Sequence, residues 1–91
     1  MEIHVDGVFD PGAARVVAGR IAAVPASTVL VVDFTNVVEF HDSAAAVLAQ
    51  ALAERTLVTL RGLGHHQLRL LRYLGARFLD VTRRGSEPND E

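Results

Sequence analysis

Asp42-Ser43 stands between a β-branched run and a stretch, Ala44 to Leu52, whose apolar residues recur at helical spacing. The pair puts a carboxylate and a hydroxyl at a helix N-terminus, where the first backbone N–H groups have no partner inside the helix. Two uses of the hydroxyl fit that position. It can cap the helix, alone or with Asp42. It can also accept a phosphoryl group, which brings about −1.5 to −2 charges at neutral pH. The helix terminus would favour that charge by roughly 0.3–1 kcal/mol if exposed. Asp42 and Asp33 would oppose it, so the fold should survive and the effect should fall on a partner's surface.

Other residue types with chemical potential are weaker candidates. His41 stands close enough in sequence to serve Ser43 as a base. No full set of nucleophile, base and oxyanion donors can be assembled, so no enzyme is expected. A metal centre needs three or four converging ligands. His65 and His66 are adjacent and cannot easily face one ion from a helix, and His4 and His41 lie elsewhere in the chain. Neither a metal nor any other cofactor is expected. Gly62-Leu63-Gly64 precedes a helical pattern and could lay phosphate on helix N–H groups. Without a G-x-G-x-x-G pattern or a P-loop lysine it reads as a strand-to-helix turn.

These residues need elements to position them, and the pattern supplies seven. Ile3 to Val8 alternates loosely and predicts an edge strand. Asp10-Pro11 is a helix start, followed by Ala13, Val17, Ile21 and Val24 at helical spacing and a stop at Pro25. Thr28 to Phe34 is a nearly unbroken β-branched run, expected to be a central strand covered on both faces or nearly so. Thr35-Asn36 reads as a turn, with Asn tolerating positive φ. A helix from Asp42 or Ser43 to about Arg55, a strand Leu57 to Leu60, a helix with Gln67, Leu70, Leu71 and Leu74 inward, and a strand Arg77 to Val81 complete the set. Gly75 stands where a C-cap glycine belongs. The expected core holds Val29, Leu30, Val31, Val32, Val47, Leu48, Leu52, Leu70, Leu71 and Leu74.

The order β-α-β-α-β-α-β implies crossover units and a largely parallel mixed sheet. The expected fold is α/β: one small domain over residues 1–82 with a four-stranded mixed sheet. Residues 83–91 are polar and read as a disordered tail.

Composition narrows the function classes. A chain of 91 residues buries only roughly 60–65 % of its unfolded surface, so a partner surface could complete its burial. There is no cysteine, which removes disulfides and cysteine–zinc sites. No apolar run reaches about 18 residues, so no membrane insertion is expected. The first residues lack a signal-peptide pattern, and a cytoplasmic location is expected. Residues 1–54 carry two Arg against seven acids, residues 55–84 carry seven Arg against Asp80, and there is no lysine. The basic helix could touch nucleic acid, but the acidic half and near-neutral total argue against it.

The stretch Asp33-Phe34-Thr35 through Phe40-His41-Asp42-Ser43 closely resembles the signature of STAS domains, the fold of bacterial anti-sigma-factor antagonists. That pattern is roughly D-L-S-x-V-x-F-x-D-S-S-G, with phosphorylation on the serine after the second aspartate. The resemblance assigns that role to Ser43 and places Asp33 and Asp42 near the phosphoacceptor. Asp6-Gly7-Val8-Phe9-Asp10 is similar to the family's G-x-L-D, and Leu70-Leu71 through Gly75 to its L-L-x-x-x-G segment. Ala44 and Ala45 depart from the second serine and the glycine. Only one strand precedes the first helix, where the family usually has a longer strand or hairpin. An open sheet edge could then support a homodimer.

The resemblance implies a STAS-like fold with helices packed mainly on one face of the sheet, and a partner-switching regulator that binds an anti-sigma factor or serine-kinase-like protein and is released by phosphorylation of Ser43. The partner would supply ATP. A different class, a constitutive accessory subunit on an ATPase of a lipid-transport or other membrane complex, fits the same fold without phosphorylation. In either case the outward stripe of the second helix, read as Ala46, Ala49, Gln50 and Ala53, is a charge-poor surface suited to a protein partner.

Overall fold

A computed structural model describes residues 1–53, 55 and 57–81. The expected tail, residues 83–91, lies outside the described residues. The elements are β1 (Glu2–Phe9), α1 (Pro11–Ala22), β2 (Leu30–Phe40), α2 (Asp42–Leu52), β3 (Val58–Arg61), α3 (His65–Tyr73) and β4 (Leu79–Val81). The chain is a small α/β domain.

The strands pair in the order β1-β2-β3-β4, each parallel to the next. The expected mixed sheet is therefore replaced by a parallel one. Every connection is a helical crossover stepping the same way across the sheet. Since such crossovers are right-handed, all three helices fall on one face. Burial alternates accordingly: Ile3, Val5, Phe9, Leu30, Val32, Phe34, Val58 and Leu60 are buried, while Glu2, His4, Asp6 and Leu79 on the other face are exposed.

This single helix layer corrects the expected core. Val29 is 57 % exposed, and Leu74 is exposed as well. Val31, Val47 and Leu70 are half-buried. The β-branched run reads as covered on both sides, yet helices cover only one, so Val29 and Val31 alternate outward. Leu30, Val32, Leu48, Leu52 and Leu71 are buried as expected.

Thr35-Asn36 is not a turn. β2 runs through it to Phe40, and Asn36 has no positive φ. Pairing with β1 continues through Asn36 and Val37 to Phe40, and β2 carries the extra residues at two irregularities, opposite His4–Asp6 and opposite Gly7–Val8. The long strand ends in an aromatic cluster. The Phe9 ring lies 5.2 Å from Phe34 and 5.1 Å from Phe40. The His41 N–H then donates to Phe9 O at 3.0 Å, which fixes where α2 begins.

Local signals hold at α1 and α3. Asp10 caps α1, accepting from the Ala13 N–H at 2.8 Å, with Pro11 in the first turn. Gly75, at φ +100°, follows the C-cap Leu74 of α3. α2 ends at Leu52, three residues short of Arg55. Arg55 instead folds inward and is 7 % exposed. Its guanidinium donates to Val24 O at 2.8 Å and Pro25 O at 2.7 Å, with longer contacts to Ile21 O and Thr28 O. The negative end of the α1 dipole and these carbonyls satisfy a cation that would otherwise be costly to bury.

Candidate functional site

β2 and α2 together deliver Ser43 to the end of the sheet where the parallel strands finish. The N-cap of α2 is His41, which makes no side-chain cap bond. Asp42 and Ser43 are the first two helical residues, so neither caps the helix. Ser43 is exposed, and its hydroxyl has no hydrogen-bond partner among the described residues. The first-turn N–H groups of α2 therefore stand free of any side-chain acceptor.

The two neighbours of Ser43 are held. His66 Nε2 lies 3.2 and 3.3 Å from the two Asp42 carboxylate oxygens. His41 Nε2 lies 3.0 Å from Glu39 Oε2. His41 is thus engaged on the side of Glu39. The Asp42–His66 contact joins the starts of α2 and α3 and follows from tertiary placement; no sequence spacing announces it.

The start of α3 is shaped by two glycines. Gly62 has φ +86°, and a Cβ there would lie 2.6 Å from the Thr35 nitrogen. The loop after β3 can therefore lie against β2 only if residue 62 has no side chain. Gly64 is the N-cap of α3, and its N–H donates to Gln67 Oε1 at 3.1 Å. Between this loop and the end of β2 lies a cavity of about 190 Å³, lined by Phe34, Val37, Gly62 and Gln67 among others.

Asp33 lies apart from this site. It points to the helix-free face of the sheet, whereas α2 covers the opposite face. Its Oδ1 accepts from the Thr35 N–H at 2.9 Å and from the Thr35 hydroxyl at 2.5 Å. Its Oδ2 lies 3.6 Å from Arg61 Nη1 and 3.6 Å from His4 Nδ1. The Thr35 hydroxyl bond holds the Asp33 carboxyl below its usual range, against the opposing effect of partial burial; the Thr35 N–H, Arg61 and His4 add to the lowering. Glu2 completes the group, 3.1 Å from Arg61 and 3.4 Å from His4. One ligating atom each from Glu2, His4 and Asp33 falls within 4.8 Å of the others. A divalent cation could use those atoms, but the Arg61 guanidinium sits against both carboxylates and already offsets part of their charge.

The proposed partner stripe on α2 is only partly on the surface. Ala46, Gln50 and Ala53 are exposed, whereas Ala49 is 1 % exposed. α2 is the middle helix and packs against both α1 and α3. Its flanks are covered as well as its base, which takes Ala45 and Ala49 out of solvent. The surviving ridge runs from Ser43 through Ala46 and Gln50 to Ala53.

No family model, no curated protein and no solved structure matches this chain. Among the described residues no helix is long and apolar enough to cross a membrane.

Proposed function

We propose that this chain is a protein-binding regulatory domain of the anti-sigma-factor antagonist kind, with Ser43 as its switch. The observation that carries the reading is the state of Ser43: exposed, unpartnered among the described residues, and in the first turn of a helix without a side-chain cap. Such a hydroxyl is open to a kinase and can take a phosphate without breaking an internal contact. The free N–H groups of α2 offset part of the added charge. The sequence resemblance of Asp33 through Ser43 to STAS domains supports the same role.

In this reading an anti-sigma factor or serine-kinase-like partner docks on the ridge of Ser43, Ala46, Gln50 and Ala53. Small side chains let a partner helix approach closely. The partner supplies ATP; the bond from its γ-phosphorus to the β–γ bridging oxygen breaks as the Ser43 oxygen bonds to that phosphorus, ADP leaves, and the hydroxyl proton passes to a base of the partner or to water. The new dianion then faces the partner surface and ends the contact by repulsion and desolvation. The domain is a substrate and binder rather than an enzyme, and it acts in the cytoplasm.

Phosphosite mapping by mass spectrometry, joined to partner capture, tests the reading. Phosphate should appear on Ser43. Ser43→Ala should bind the partner constitutively, and Ser43→Asp should bind at least about tenfold more weakly, about 1.4 kcal/mol. Neither change should unfold the domain, because the hydroxyl caps nothing. No phosphate in any growth condition, equal binding by Ser43→Ala and wild type, and copurification with an ATPase would replace this reading by the accessory-subunit one.

A further inference from the structure

Parallel sheets occur almost only with both faces covered, and here helices cover one. The bare face carries an apolar band. Val29, Leu57 and Leu79 are 57 %, 45 % and 72 % exposed, and Val31 is half-buried beside them. The next row is charged: Asp33 on β2 stands level with Arg61 on β3.

We infer that this face is covered by the same face of a second copy of the chain. The β2–β3 register makes the middle of this face complementary to itself, although the row of Val31 ends in Glu2 on β1 and Leu79 on β4. Val31 pairs with Thr59 and Asp33 with Arg61; Val29 and Leu57 precede the Leu30–Val58 pair by one step. A two-fold axis along the strands, midway between β2 and β3, brings each β2 residue over the β3 residue of the same row in the other copy. Val29 then meets the partner's Leu57, Val31 meets the partner's Thr59, and Asp33 meets the partner's Arg61. Each contact occurs twice, as an isologous interface requires. Packed sheets of this kind lie about 10 Å apart with strands within about 30° of one another. A partner of one charge sign would meet like charge on one of the two strands, whereas a second copy meets opposite charge on both.

Pairing of β1 edges is the less suitable route to a dimer. β1 carries Glu2, His4 and Asp6, and charged side chains blunt an open edge. The face-to-face dimer also leaves Ser43 and the α2 ridge free, and it stands independently of the reading of Ser43.

Sedimentation equilibrium of the full chain tests this, with circular dichroism confirming that each variant is folded. Wild type should dimerise. Val29→Lys and Leu57→Glu should each weaken self-association at least about tenfold, about 1.4 kcal/mol. An equimolar mixture should recover a heterodimer, in which the new lysine faces the new glutamate and the remaining Val29 and Leu57 face each other. Thr59→Glu, opposite the partner's Val31, replaces Leu57→Glu if that variant does not fold, and it too should weaken association. A monomeric wild type would overturn the inference. So would a dimer that ignores these substitutions, which would move the contact to the β1 edge, or singly weakened variants that fail to recover on mixing, which would remove the two-fold register.

Discussion

Asp33 shows what a single side chain does in this fold. Its carboxylate accepts two bonds from Thr35 and faces Arg61 and His4, and its folded pKa is lowered. A depressed carboxylate stabilises the fold fully above its unfolded pKa, about 4, and the contribution disappears as pH falls through the lower folded value. Asp33→Asn should therefore lower the urea midpoint at pH 5, and the gap to wild type should narrow as pH drops below about 4. A gap that persists unchanged at pH 2.5 would show that the carboxylate's charge is irrelevant. At this scale the sequence disclosed only what local chemistry encodes. Asp10-Pro11 announces the α1 cap, and Asp42-Ser43 announces a hydroxyl at a helix start. The pairing of Asp42 with His66, the carbonyl contacts of Arg55 and the placement of Asp33 away from Ser43 all join residues distant in sequence, and no spacing rule reports them.

At the scale of elements, the alternation of β2 decides which substitutions matter. Val32 is fully buried beneath the helices, so Val32→Asp should unfold the domain, because an unpaired buried carboxylate costs several kcal/mol. Val31 is half-buried on the bare face. Within one chain Val31→Asp should stay folded, with a loss of about 1 kcal/mol from lower strand propensity besides any loss of self-association. Urea titration of both variants checks this; equal destabilisation would mean that β2 is covered on both sides within one chain. The existence of β2 was legible in its β-branched run, and its direction in the helical crossovers around it. Its length was not, because Thr35-Asn36 has turn chemistry and only pairing with β1 overrides it. The burial of Ala49 was illegible for a related reason. A helical wheel finds the face turned to the sheet, but not the flanks covered by α1 and α3.

The whole molecule follows from one rule applied three times: strand, crossover helix, next strand in place. Length, apolar content and the alternation of elements made that legible, while the gathering of the helices on one face was only what the family resemblance implied. A largely parallel sheet was legible in the crossovers; that no antiparallel pair joins it among the described residues was not, because that depends on which strands become neighbours. The order β1-β2-β3-β4 means that space and sequence run together. The domain is in effect a short one-dimensional stack, in which each layer is secured chiefly by the layers before and after it. Stability should then be graded along the stack rather than shared evenly. Native-state hydrogen exchange should find the slowest amides in β2, which has a paired strand on each side, and the fastest strand amides in β4, whose three residues pair on one side only. Equal protection of β2 and β4 would mean that the domain opens only as a single unit. With a graded stack, β4 can peel away while β1, β2 and the start of α2 stay assembled, so Ser43 would keep its setting through fluctuations at the far end of the chain.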